Sequence, residues 1–295
     1  MAVLTNTTTT SQISVNVKEI DFASRFQADW KALLDIMGVS RPVRKAPGTK
    51  IAANKATVNL QSGLVAEGDE VPLSQATVTP VVFEDIVLEK YRKRVTIEAV
   101  EKYGAAVASQ RTDDAFITEL TDKVLDKFYT FAQTGTLGGD TYDDFQMALS
   151  MAVHLVKDKF KKMHLGYGNV VAFVNTLDVG KYLGGANVTI QSQNGIEYLK
   201  NFLGADTVII TSEIPAGKIV ATTAENIVLY YVDPSDGDFA ELGLNYTTAG
   251  SATNLIGVHK EGVYSHASGD THAVMGMLLF AEYLDGIANV SIKTA

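Results

Sequence analysis

The stretch Gly63-Leu64-Val65-Ala66-Glu67-Gly68-Asp69-Glu70-Val71-Pro72-Leu73-Ser74 lies inside a segment, residues 41–80, that is unlike the rest of the chain. The segment holds Pro42, Pro47, Pro72 and Pro80 and few large apolar residues. Short alternating runs such as Thr57-Val58-Asn59-Leu60 have the period of a strand, and Gln61-Ser62-Gly63 has the composition of a bend. The pattern predicts β-hairpin arms. A loop this long and this poor in core residues is uncommon in a compact subunit unless it has a task of its own. Two readings stand: a disordered surface loop, or an arm that orders against another subunit.

Upstream, residues 1–17 are polar, with Thr7 to Thr10, and predict a mobile arm. Phe22, Phe26, Trp30, Leu33 and Met37 recur at helical spacing and predict a helix from about Asp21 to Met37, with Asp21 as cap and Gly38 as stop. Downstream, strand character runs from Val81-Val82-Phe83 through Ile86, Leu88, Tyr91 and Val95, and carries Lys90, Arg92, Lys93 and Arg94. The longest predicted helix spans Asp113 to Phe131, with Ile117, Leu120, Val124, Phe128 and Phe131 as its apolar stripe and Thr112 or Asp113 as cap. At ~1.5 Å per residue it is a rod of roughly 28 Å. Gly135 to Gly139 predicts a break. A mixed α/β unit follows from residue 143. Its predicted elements are a helix over Asp144 to Lys161, a strand over Val170 to Val174, a short helix from about Ile196 to Leu203, and a strand at Val208-Ile209-Ile210. After a turn at Pro215-Ala216-Gly217 come further strands, including Ile227 to Val232, Met275 to Ala281 and Ile287 to Ile292. No repeat period and no heptads occur.

The 295 residues, 46% of them hydrophobic, suffice for one large or two modest domains. No run approaches the ~18–20 apolar residues of a membrane span, and the start lacks the pattern of a secretion signal, which predicts a cytoplasmic protein. The absence of cysteine excludes disulfides, thiolate metal sites and cysteine nucleophiles. Against 34 acidic residues stand 25 basic ones, a net charge of −9, so the surplus typical of a nucleic-acid reader is missing. Such a chain can still surround nucleic acid if its inner face repels phosphate.

Chemistry-bearing clusters are few. His259, His266, Asp270 and His272 offer zinc-binding groups, but the spacing fits no zinc motif and there is no H-E-x-x-H. A polar loop or a strand pair with histidines at its edge is the favoured account, and a metal-dependent hydrolase using His259, His266 and His272 is the alternative from another function class. Asp233-Pro234-Ser235-Asp236-Gly237-Asp238 with Glu241 is out of register for a calcium loop and reads as a turn. Gly138-Gly139 and Gly184-Gly185 belong to no phosphate-binding pattern, and no G-x-S-x-G elbow occurs. No catalytic, metal or cofactor site is expected, and the chain is not read as an enzyme.

The stretch from Gly63 to Ser74 resembles the extended loop of tailed-bacteriophage major capsid proteins of the Hong Kong 97-type fold, in which an acidic "E-G-[DE]-x-[IV]-P" precedes a strand. Lys90-Tyr91-Arg92-Lys93-Arg94-Val95-Thr96-Ile97-Glu98-Ala99 resembles the "K-x-x-x-x-x-T-x-E-A" that follows. Ile214-Pro215-Ala216-Gly217-Lys218 and Glu225-Asn226-Ile227 resemble strands of that family's axial domain. The order of elements agrees over nearly the whole chain. The resemblance implies an α+β capsid fold with an N-terminal arm (1–19), a peripheral-domain helix (20–40), an extended β-hairpin loop (41–80), a peripheral domain with a long spine helix (81–134), a central axial α/β domain (135–270) and return strands to the peripheral domain (271–295). It implies a virion subunit, assembled in the bacterial host cytoplasm, that builds hexamers and pentamers of an icosahedral shell around double-stranded DNA without reading its sequence. A portal protein would be a partner. No long charged helical segment precedes residue 20, so a separate scaffolding protein is expected as well. An encapsulin-type nanocompartment shell is the alternative within the same fold. Glu67, Asp69 and Glu70 near the loop tip and Lys90, Arg92, Lys93 and Arg94 on the following strand are the proposed inter-subunit contact.

Overall fold

The computed structural model describes residues 40–46, 52–66, 70–82, 85–184, 190–193, 196–248 and 254–293. The predicted N-terminal arm and the helix predicted over 21–37 lie outside them, as do Glu67 and Asp69. In chain order the elements are β1 (Ser40–Lys45), β2 (Ala52–Asn59), β3 (Gln75–Val82), β4 (Leu88–Thr96), α1 (Ile97–Tyr103), α2 (Ala105–Ala132), β5 (Leu137–Tyr142), α3 (Phe145–Lys162), β6 (Val170–Asn175), α4 (Thr176–Leu183) and β7 (Gln191–Gln193). Then follow β8 (Ile196–Phe202), β9 (Ala205–Thr211), β10 (Lys218–Thr223), β11 (Ile227–Val232), α5 (Gly237–Glu241), β12 (Ile256–Val263), β13 (Ser268–Ala281) and β14 (Ala288–Ile292). The architecture is α+β. Among the described residues no helix is long and apolar enough to cross a membrane.

The strands form a five-stranded sheet, a seven-stranded sheet and a separate two-stranded ribbon. The first is organised on β13. Gly276 pairs with both Val232 and Leu88, and Met275 with both Ile256 and Glu89. Strands β11 and β12 therefore lie end to end along one edge of β13, with β4 along the other. The second sheet runs β5-β14-β10-β6-β9-β8-β7. Its central strands are near-continuous apolar runs because both faces are covered. Val170, Ala172 and Val174 of β6 join the core beneath α3, while Val171 and Phe173 join the core with α2. Helix α2 thus touches both sheets. Its Phe128 and Tyr129 meet Phe173 edge-on, with ring centroids 5.8 and 5.6 Å apart.

Several sequence expectations need correction. The long helix has 28 residues rather than starting near Asp113. Thr112 is not a cap: its hydroxyl donates back to the carbonyls of Ala108 and Ser109, which lets a polar residue sit within a helix. Residues 196–203, predicted helical, form β8 and pair antiparallel with β9; a short apolar run does not by itself choose between the two periods. The glycine-rich break at 135–139 contains the start of β5, which lies parallel to β14. A Cβ on Gly135 would fall 2.5 Å from the Ile287 carbonyl oxygen, so glycine permits the close approach there. Ser40–Lys45, read as the start of the loop, is an edge strand parallel to β11, where Pro42 is tolerated. Arg41 and Arg44 tie it down through Glu282 and through Asp233 and Asp236. The sheets also cut across the ranges 135–270 and 271–295: β11 and β12 belong with β4, and β14 belongs with β10. The helix over 144–161 matches α3, where Asp144 accepts from the Met147 N–H at 2.7 Å.

Candidate functional site

The ribbon of β2 and β3 forms a sheet of its own. Its two strands of 8 residues pair only with each other among the described strands, from Ala52↔Val82 to Asn59↔Gln75. At ~3.3 Å per residue each strand spans about 26 Å. Pairs directly opposite in an antiparallel ladder share a face. One face therefore carries the positions Ala52/Val82, Asn54/Pro80, Ala56/Val78 and Val58/Ala76, and the other Ala53/Val81, Lys55/Thr79, Thr57/Thr77 and Asn59/Gln75. Val58 and Val78 are exposed, and so are Leu60, Leu64, Val71 and Leu73 in the connection; Leu64 is 96% exposed and Leu73 93%. The connection is closed at its base by the Gln61 N–H donating to Ser74 Oγ at 3.1 Å. A two-stranded ribbon is marginally stable alone, and this one leaves Val58, Val78 and an apolar tip in water.

The basic strand β4 places its cations on two faces. Arg92 and Arg94 reach Asp270 of β13, the residue opposite Arg94 in the ladder. Arg94 donates from Nε to Oδ1 at 2.7 Å and from Nη2 to Oδ2 at 2.8 Å, and Arg92 donates from Nε to Oδ2 at 2.7 Å. Asp270 is covered, yet by guanidinium groups that themselves meet solvent. The hydrogen bonds from Arg94, and then those from Arg92, hold its carboxyl well below the usual carboxylate range against the opposing effect of burial. On the other face, Lys93 donates to Thr112 Oγ1 at 2.9 Å and pairs with Asp113, which also receives Lys260 of β12 at 2.9 Å. Burial raises the Asp113 pKa, but the two lysines outweigh it and the net shift is downward. Glu89 receives Lys127 and the Tyr91 hydroxyl; burial first, then this bond to Glu89, pushes Tyr91 up to about 12.

Of the residues singled out from sequence, Arg92, Lys93 and Arg94 thus hold carboxylates of their own chain, while Lys90 and Glu70 are exposed. Their partners Asp270 and Asp113 were not read as such. Part of the signal was present: cations at 90, 92 and 94 share one strand face and Lys93 takes the other, so any acceptors lie on both sides. The histidines do not converge as a set. His259 lies opposite His272 in the β12–β13 ladder, whereas His266 lies in the connecting turn, about four rungs or ~13 Å away. Glu261, Asp270 and His272 do bring ligand atoms within 4.8 Å of one another, but both Asp270 oxygens are taken by arginines.

No protein-family model matches the sequence, and no curated protein matches it. Solved structures do. A chain of Mycobacterium phage Patience is 12% identical with a TM-score of 0.57, over 97% of this chain and 90% of that one. A chain in the asymmetric unit of the bacteriophage PhiM1 mature capsid is 8% identical with a TM-score of 0.57, over 88% of this chain and 87% of that one. A chain of the holo-SrpI encapsulin complex from Synechococcus elongatus PCC 7942 is 11% identical with a TM-score of 0.52, over 89% and 86%. This chain has the fold of these solved structures, among them a chain of a phage mature capsid and a chain of an encapsulin complex.

Proposed function

We propose that the chain is the major capsid protein of a tailed bacteriophage, a structural subunit that assembles with itself into hexamers and pentamers of an icosahedral shell around double-stranded DNA. The observation that carries this reading is the ribbon: a paired arm with Val58, Val78 and an apolar tip exposed, whose strands pair with no other described strand. A second copy is the partner that removes that surface from water. In this reading α2 is the spine helix, the five-stranded sheet is peripheral, the seven-stranded sheet is axial, and scaffolding and portal proteins are partners. The net charge of −9 suits a wall that does not trap its contents. Likeness to the encapsulin chain supports a second reading, a compartment enclosing protein.

The test is sedimentation and negative-stain imaging of the purified protein, with scaffold co-expressed. Assemblies far above 31.7 kDa are expected; a compact monomer at high concentration overturns the reading. The face argument is tested by charge. Val58→Asp with Val78→Asp is expected to abolish assembly with the circular dichroism unchanged, and Gln75→Glu with Thr77→Asp to leave it. Shell contents, nuclease-protected DNA or a co-purifying protein, separate phage capsid from encapsulin.

A further inference from the structure

Helix α2 is held in two different ways along its length. From Ile117 onward it is packed by apolar side chains: Ile117, Leu120, Val124, Phe128, Tyr129 and Ala132 are all buried. Before that point the apolar anchor fades. Among the described side chains of residues 97–112, only Ala108 is buried, and α1 buries none. Where one regime gives way to the other sits Asp113, its side chain 8% exposed, between Lys93 and Lys260, each 14% exposed. The two lysines come from β4 and β12, on either side of Thr271 of β13. One carboxylate on the helix is therefore fastened to both strands flanking the centre of the sheet. The Ser109 hydroxyl, 3.4 Å away, and Thr112, bonded to Lys93, belong to the same knot.

Beyond the knot the attachments are sparse. The Ile97 N–H donates to the Ala267 carbonyl at 3.0 Å, and α1 lies against α2. The joint between the two helices is Gly104, at φ +81°, where a Cβ would touch nothing within 4 Å; glycine is needed for the backbone angle and not for space.

We propose that Asp113, Lys93 and Lys260 form a latch: residues 97–112 open and close on the β4–β13–β12 face as one unit, and the latch sets how often they open. A segment whose described side chains bury little apolar surface opens more readily than the core it adjoins. A carboxylate on another molecule that reached Lys93 or Lys260 would compete with Asp113 and release the segment. The latch is a property of the single chain and does not depend on shell formation.

Hydrogen exchange by mass spectrometry on the purified protein tests this. In Asp113→Asn, amides of residues 97–112 are expected to exchange at least about tenfold faster, with those of residues 117–132 within about twofold of wild type. Equal loss of protection through residues 117–132 would make Asp113 an ordinary core residue, and unchanged exchange over 97–112 would mean that the latch holds nothing; either overturns the proposal. Lys93→Met removes one arm while Asp113 keeps Lys260, so it preserves the fold if Asp113→Asn does not. It is expected to raise exchange in the same segment by a smaller factor, and no local change there counts equally against the latch.

Discussion

The ribbon and the β4–β13–β12 sheet are both antiparallel, yet among the described residues the ribbon pairs only with itself while the sheet is built into a core. Among the described residues the ribbon has cross-strand pairs and no second layer, and its Val58, Val78 and tip leucines are exposed. The sheet has α2 behind one face, and its cations find carboxylates on both faces. Strand pairing alone is thus not enough to seat an element; a second layer or a paired charge is needed.

The largest difference between the two regions is expected in the core. Phe173→Ala empties the site where α2 meets the seven-stranded sheet and should lower unfolding free energy by about 3–5 kcal/mol in chemical denaturation. Leu73→Ala, at the ribbon tip, should change it by less than ~0.5 kcal/mol while impairing assembly. A large stability loss at Leu73 would show that the tip already packs within its own chain.

Next in size is removal of the ribbon. Deleting residues 52–82 and joining the ends with a Gly/Ser linker removes a ribbon that pairs with no other described strand, so the melting temperature should fall by only a few degrees. Shell formation should fail. Normal shells from the shortened chain would remove the ribbon from the assembly mechanism.

A pH effect comes third. Asp270 and Asp113 titrate lower in the fold than the ~3.9 of an unfolded aspartate. Each therefore contributes stability that is present above that value and is lost as the pH falls through it toward the folded pKa. Denaturation midpoints should drop below about pH 4–5, and Asp270→Asn should flatten that drop. An unchanged acid limb in Asp270→Asn would show that the arginine clasp does not contribute.

The smallest expected effect concerns the acidic tip. Glu67→Lys with Glu70→Lys should weaken assembly modestly and more at low salt, since exposed ion pairs contribute only ~0–1 kcal/mol each. Compensation by Arg92→Glu and Arg94→Glu, the obvious reciprocal swap, is not expected: those arginines hold Asp270, and acidic replacements would repel it. Lys90→Glu is the cleaner partner because Lys90 is exposed. Salt-independent assembly of the tip variant would leave the two clusters unrelated.

Much of the chain was determined by local sequence. Ile227–Val232 and Val170–Asn175 are apolar runs short enough to be buried strands, Asp144 caps α3 by its own side chain, and the proline-marked, core-poor stretch around Gly63–Ser74 can only be an arm or a loop. These depend on residues within one or two turns of each other. What only the tertiary structure decided depends on partners far away in sequence. Residues 196–202 became a strand because β9 offered an edge, and Ser40–Lys45 left the arm because β11 had an edge to fill. Asp113 turned from a helix cap into a helix interior anchor because Lys93 and Lys260, 20 and 147 residues away, converge on it. Periodicity and capping are written in neighbouring residues; edge pairing and charge pairing are not, because they are set by which surfaces the rest of the chain brings together.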